Sequence, residues 1–504
     1  MNITSLRNAL LFFLSISVAH AAAQSEFNGY AIYNSLNSST AYMINADAQI
    51  ERTWSCPSEA NYALALRPNG NIVRGAVNAG NQITGAAVGG KVQELAPDGS
   101  IVWEFVYSTA NYVTHHDLCL MPNGHVLLIA YVKQTLAELQ ALGYTASSVK
   151  YPSRIIEVQQ NGTGGEIVWQ WEIKDRLIQY VDATKPNYMP IADHPERLNI
   201  NVTVSTGGGP GGGTDWFHEN GVDYNPELDQ IAFSARYLSE VFIIDHSTTT
   251  AEAAGHTGGN GGRGGDFVFR WGKPANYGIS GTQRIAAAVH DVHWLLADRP
   301  NAGWLQFVNN SGGTGGSTTI DAINPVRDGY NYPWTPGTVW GPSNYEWRHE
   351  CLADASGQSA SDRMPNGNTF VAISGEYMYE VDEADNVVWQ YNAGPAKAFR
   401  YLCDDPGVIA LLGENPCGLN TGVAEVEEPE LTLFPVPANV TVNLKGVDVS
   451  DVERFVIMDG IGREVKRTAP GWTIDVSDLP NGVYQVVIEH TAGERDVRRV
   501  VVQH

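Results

Sequence analysis

Short apolar, β-prone runs broken by turn residues recur through most of this chain, and two kinds of run repeat. One carries a proline-asparagine-glycine turn, as in LRPNGNIV (66–73), LMPNGHVLL (120–128) and RMPNGNTFV (363–371). The other ends in aromatics: DGSIVWEF (98–105), GGEIVWQW (164–171), GDFVFRW (265–271) and DNVVWQY (385–391). With the looser copies AQIERTW (48–54) and NYEW (344–347), six such strands are anchored at Trp54, Trp103, Trp171, Trp271, Trp347 and Trp389. Short strands repeating at roughly 40 residues or more predict propeller blades, here six. The spacing is uneven, with insertions at 132–152, 174–214 and 272–289, the first holding a short helix in KQTLAELQALGY. Glycine-rich pieces at Gly207–Gly213, Gly258–Gly265 and Gly312–Gly316 read as loops and carry no phosphate-loop pattern.

The pattern changes towards both ends. Residues 413–430 read as a linker, and 431–504 return to alternating strands with an Asn481-Gly482 turn, predicting a small β-sandwich. Residues 1–24 place Arg7 before an apolar run and a small-residue cleavage site, which reads as a signal peptide. The expected fold is therefore all-β: a six-bladed propeller over 25–412, then the sandwich. The apolar run of the leader is too short for a membrane span, and no other stretch qualifies.

Composition supports a folded chain: 504 residues, 43% of them hydrophobic, with 52 glycines and 25 prolines for turns. A formal net charge of −24 argues against nucleic acid and against anionic membrane surfaces as partners. The five cysteines of an exported chain meet an oxidising setting, where Cys403 and Cys417, the nearest pair, are placed to bridge a late loop. No metal-ligand spacing occurs, and neither a metal nor an organic cofactor is implied.

The densest chemistry lies in DWFHENGVDYNPELDQIAFSAR (215–236), with His218, Asn220 and Arg236. Imidazole, amide and guanidinium together suit an oxyanion. Aligning the repeats by their turns sets His116, His218, His290 and Ser359 at matching starts of innermost strands, so all four are expected at one end of the central channel. A histidine at such a position also serves to fix a turn; several at aligned positions beside Arg236 favour an anion site. By strand alternation His115 and His293 are expected to face away from the site, and Asp117 and Asp291 to face outward as turn or backbone acceptors. Trp216 and Tyr237 suit the lining of an aryl pocket, but core or rim packing is the favoured reading.

His116-Asp117, His218-x-Asn220, Arg236 and His290-Asp291 resemble, in order and spacing, the bacterial arylsulfate sulfotransferases. That resemblance covers most of 40–410. It implies a six-bladed propeller that passes a sulfuryl group from an aryl sulfate to a phenol by a ping-pong route through a sulfohistidine, without a nucleotide sulfate. It implies His290 as the sulfated histidine, His116, His218, Asn220 and Arg236 as the sulfate-binding and charge-stabilising set, and Ser359 as a weaker match among substrate contacts. The N-terminal β-domain of some members is missing, and His293 stands close enough to His290 to be the other candidate nucleophile. The end of the chain, with FPVPAN (434–439), LPNGVY (479–484) and the closing RRVVVQ, resembles the type IX secretion sorting domain. It implies export to the surface or medium, with the secretion machinery as partner. Two other classes share the frame: a calcium- and quinone-dependent propeller oxidoreductase, disfavoured by blade count and the histidine cluster, and a noncatalytic surface propeller binding glycans or proteins.

Overall fold

The apolar runs are extended strands, and they hydrogen-bond in antiparallel fours. The computed structural model describes residues 28–204, 214–280, 286–417, 431–446 and 448–504. The expected signal segment, the Gly207–Gly213 loop and most of the linker lie outside the described residues. The chain divides into two compact units between Cys417 and Gly418.

In the first unit six four-stranded sheets follow one another as blades of a propeller. Blades two to six each run in chain order from an innermost to an outermost strand. Their innermost strands are Ala60–Leu66, Tyr112–Leu120, Glu219–Asn225, Val289–Trp294 and Ala360–Arg363. Blade one is built from both ends of the unit: the last strand, Ala398–Leu402, pairs antiparallel with Gly29–Asn34 and takes the innermost place. That closure turns an open row of sheets into a ring without a free inner edge.

All six predicted tryptophans stand on outermost strands, although Trp347 opens its strand, Trp347–Glu350, where the sequence pattern placed it at the end. Two of these indoles link neighbouring blades through their N–H groups. Trp171 donates to the Gly265 carbonyl at 2.7 Å, and Trp389 to that of Ala46 at 2.7 Å, tying blade six to blade one. The first insertion holds the helix Leu136–Ala141, begun by a Thr135/Glu138 capping box. Innermost strands meet at backbone distance: a Cβ on Gly221 would sit 2.9 Å from the Asp291 nitrogen, so only glycine fits there. Cys403 and Cys417 are disulfide-bonded just beyond the closing strand, while Cys56, Cys119 and Cys351 are free thiols.

The second unit packs a three-stranded sheet on a four-stranded one. Val442, Phe455, Ile457, Ile474, Val486, Ile488 and Val500 fill the space between them, a small β-sandwich. Among the described residues no helix is long and apolar enough to cross a membrane.

Candidate functional site

At one end of the propeller axis the innermost strands of blades three, four and five lose their regular pairing. Register breaks between His115 and Leu118, between Glu219 and Gly221, and between His290 and His293. His116 (φ 52°), His218 (φ 57°) and Asp291 (φ 56°) take left-handed backbone conformations that non-glycine residues seldom adopt. Such bulges re-aim side chains, and here they turn three imidazoles inward. The ring centroids of His116 and His218 lie 4.6 Å apart, and those of His218 and His290 lie 6.1 Å apart. Arg236 joins them because its backbone N–H donates to the His218 carbonyl at 2.9 Å across the neighbouring strand. These four side chains line a cavity of about 230 Å³ together with Tyr62, Ser356, Gly357, Gln358 and Ser374. A second cavity of about 230 Å³, lined by Tyr237, Ser239, Lys273 and Ser311 among others, shares Arg236.

Each polar group is oriented by neighbouring groups, most of them buried. His290 Nδ1 faces two acceptors, the Ala288 carbonyl at 3.0 Å and Asn310 Oδ1 at 2.6 Å. The Asn310 amide nitrogen donates to the Ala355 carbonyl at 3.0 Å and the Gln358 carbonyl at 3.2 Å, so its oxygen is the atom turned to His290. The His290 proton therefore sits on Nδ1, and the lone pair on Nε2. Burial, then the charges of His218 and Arg236, hold the His290 pKa well below 6.5. Burial first and neighbouring imidazoles second do the same to His115 and His116. His218 Nδ1 meets Asp215 Oδ2 at 2.5 Å, and that oxygen also accepts from the Tyr131 hydroxyl at 3.0 Å. Arg236 Nη2 donates to the Ser356 carbonyl at 2.5 Å, which fixes the guanidinium across the cavity. Burial pushes the Tyr62 phenol up to about 12, so it remains a hydrogen-bond donor.

Two of the residues singled out for substrate contact lie elsewhere. Asn220 donates to the Val289 carbonyl at 2.8 Å and accepts from Ser234 Oγ at 2.6 Å, stitching blade four to blade five. Ser359 Oγ accepts from the Ser374 N–H at 3.0 Å, inside blade six. Both spend their polar atoms on the frame. His293 is not in the cavity wall; its Nδ1 bonds the Asp291 carbonyl at 2.9 Å. His115 stays in contact with the site, its Nδ1 2.7 Å from His116 Nδ1, because the bulge undoes the alternation that would turn it away.

Asp117 and Asp291 do not face outward. They are 8% and 2% exposed, and Lys397 Nζ bridges them at 2.6 and 2.8 Å. Burial alone would lower the Lys397 pKa, but the two carboxylates overcome it and hold the ammonium charged. Asp117 also accepts from the Val222 N–H and Asp291 from that of Ser361, both at 3.0 Å. The ion triad thus joins blades three and five to the segment entering the closing strand. Asp215, Asn310, Gln358 and Lys397 escaped the sequence reading, since none falls on a repeat position; Tyr62 was missed too, although it stands six residues before Pro68 as His116 does before Pro122, a signal that the same alignment carries.

Residues 16–252 match the family model for arylsulfotransferase (ASST), and residues 432–503 that for a secretion system C-terminal sorting domain. The first match holds His116, His218 and Arg236 and stops short of His290. No curated protein matches the chain. Among solved structures, a protein of unknown function from Bacteroides caccae is 12% identical, with 74% of this chain and 98% of that chain covered and a TM-score of 0.40. The β-propeller domain of Myceliophteria thermophila Cps50 is 8% identical over 74% and 88%, with a TM-score of 0.36. BamB from Moraxella catarrhalis is 11% identical over 82% and 90%, with a TM-score of 0.29.

Proposed function

We propose that this chain, whose residues 16–252 match the arylsulfotransferase family model and whose end matches a secretion sorting domain, moves a sulfuryl group between phenols in two steps through His290. The observation that carries this reading is the His290 tautomer. An imidazole kept neutral by burial, with Nδ1 occupied by two acceptors, offers its Nε2 lone pair beside a guanidinium.

In the first step Nε2 attacks the sulfur of an aryl sulfate, and the bond from sulfur to the phenolic oxygen breaks. Arg236, the Asp215-held His218 and Tyr62 are placed to receive the three sulfonate oxygens, whose charge is spread in the transition state. His116 returns a proton to the departing phenolate. In the second step a phenol gives that proton back, attacks the sulfur, and restores the electron pair to His290 Nε2. The neighbouring cavity under Arg236, walled by Tyr237, accommodates the aryl end. The sorting domain marks the protein for secretion and cell-surface attachment. We read 1–24 as the signal peptide and the type IX machinery as the route, so donor and acceptor are met outside the cell.

Intact-protein mass after mixing with a chromogenic aryl sulfate, quenched in alkali, tests the reading. One added sulfonate group, discharged by a phenol chase, is expected. Neither adduct nor phenolate release across a range of donors would leave the noncatalytic binding propeller.

Two further outcomes follow from the same geometry. Arg236→Met is expected to lower kcat about 10²- to 10³-fold, as loss of an oxyanion donor does. Arg236→Lys recovers only part, because an ammonium keeps the charge but loses the planar fork; steady-state kinetics on both variants measures this. The second concerns acid. With its pKa held well below 6.5, His290 stays neutral as the medium is acidified, and nucleophile is lost only as pH falls through the lowered value. For a donor with an activated leaving group, the phenolate burst rate should be flat from about pH 7.5 to 5.5, whereas an ordinary imidazole would lose most of it. A stopped-flow pH series decides between them.

A further inference from the structure

A line of buried polar groups leads away from the cavity, and the transfer reaction has no use yet for it. His116 Nδ1 lies 2.7 Å from His115 Nδ1. His115 Nε2 lies 3.3 Å from Ser153 Oγ, and the Ser153 hydroxyl is hydrogen-bonded to Glu219 Oε2. All four residues are at most 2% exposed. His115 is also stacked on Tyr131, with ring centroids 3.6 Å apart, which fixes its plane. The far oxygen of Glu219, Oε1, is buried without a hydrogen-bond partner among the described residues.

We propose that Glu219, Ser153, His115 and His116 form a proton wire that lends one proton to the phenolate departing in the first half-reaction and recovers it from the phenol entering in the second. This inference rests on the transferase reading above. Only one hydrogen lies in each link, so the line has two complete arrangements. In the loaded arrangement Glu219 is a carboxylic acid donating to Ser153, Ser153 donates to His115 Nε2, and His115 Nδ1–H donates to His116 Nδ1. His116 then carries its proton on Nε2, facing the cavity. When that proton passes to the departing phenolate, each hydrogen steps one place towards the cavity. His116 ends with its proton on Nδ1 and a lone pair on Nε2, and Glu219 ends as a carboxylate. An incoming phenol reverses every step: its proton goes to His116 Nε2 while its oxygen takes the sulfur from His290. No imidazole in the line carries net charge at either end of the shift.

Burial accounts for the need. It suppresses the protonated forms of both His115 and His116, so neither is able to hold the lent proton as an imidazolium. The same burial, reinforced by the nearby Asp215 charge and opposed by the Ser153 hydrogen bond, raises Glu219 to about 7, where taking and giving a proton cost little. A carboxyl group with one unpartnered buried oxygen is also less costly as the acid than as the anion. The other titratable groups bearing on the line are Tyr131 beside His115 and Glu219, and His218, His290, Lys397 and Tyr62 around His116.

The test compares leaving groups. Sulfoenzyme formation is followed by rapid-quench mass spectrometry with 4-nitrophenyl sulfate, whose phenolate departs unaided, and with phenyl sulfate, whose phenolate needs a proton. In Glu219→Gln and in Ser153→Ala the first donor should react within about threefold of wild type and the second should be slower by about 10²-fold or more. The wild-type solvent isotope effect on phenyl sulfate should fall in both variants. An equal loss on both donors, or no loss on either, with wild type forming sulfoenzyme, overturns the wire alone. Wild type forming no sulfoenzyme from any donor overturns the transferase reading and the wire with it. Circular dichroism checks folding; should Glu219→Gln misfold, Ser153→Ala, which removes a hydroxyl and no charge, carries the comparison.

Discussion

His290→Asn should form no sulfoenzyme and should lose turnover by on the order of 10⁴-fold or more, the scale seen when a covalent nucleophile is removed. Asparagine keeps a polar group of similar reach but no lone-pair nitrogen, so the loss falls on bond formation rather than on the cavity. Binding of an aryl sulfate should persist, since Arg236, His218 and Tyr62 remain in the wall. Rapid-quench mass spectrometry together with equilibrium dialysis of the donor measures both. An adduct surviving in the variant would move the nucleophile to another imidazole. His293 is the less suited, with its Nδ1 on the Asp291 carbonyl and its Nε2 buried outside the cavity. His218 is already committed to Asp215.

The second large effect is on stability. Lys397→Met should destabilise the propeller by roughly 3–5 kcal/mol, because it leaves Asp117 and Asp291 facing each other without a cation. The cost lies in the orphaned carboxylates more than in the lost attraction. The triple change Lys397→Met, Asp117→Asn, Asp291→Asn should therefore recover a substantial part of it, although the amides must still find partners for the Val222 and Ser361 N–H groups. Urea unfolding of the single and triple variants separates the two contributions. A triple variant no better than the single one would place the stability in the ammonium contacts themselves.

The blade count was legible because its signals are local. A tryptophan on each outermost strand and the proline-asparagine-glycine turns report on a few neighbouring residues each. The convergence of His116, His218 and His290 was legible too, since aligning repeats by their turns superposes innermost strands. What the alignment could not convey is the backbone at those histidines. Strand alternation places Asp117 and Asp291 on the outer side, but the bulges at His116 and Asp291 itself break the period and turn both carboxylates onto Lys397. Lys397 lies in an unremarkable Gly-Pro-Ala-Lys segment, 280 residues from Asp117, with no pattern to mark it. Asn220 and Ser359 mislead for the opposite reason. They stand at site-like positions, yet the broken strand pairing leaves backbone groups that their side chains must satisfy.

The closing strand Ala398–Leu402 has a consequence for timing. The histidines and the arginine proposed for catalysis come from blades three to five, but within the first unit Lys397 and the strand that completes blade one arrive almost last, followed by the Cys403–Cys417 bridge. A chain interrupted before this point has an open ring and two unbalanced carboxylates beneath the histidines. On the transferase reading proposed above, a chain that has not yet closed its ring should therefore show no reactivity towards sulfate esters, and the seal of the last blade would itself act as the switch.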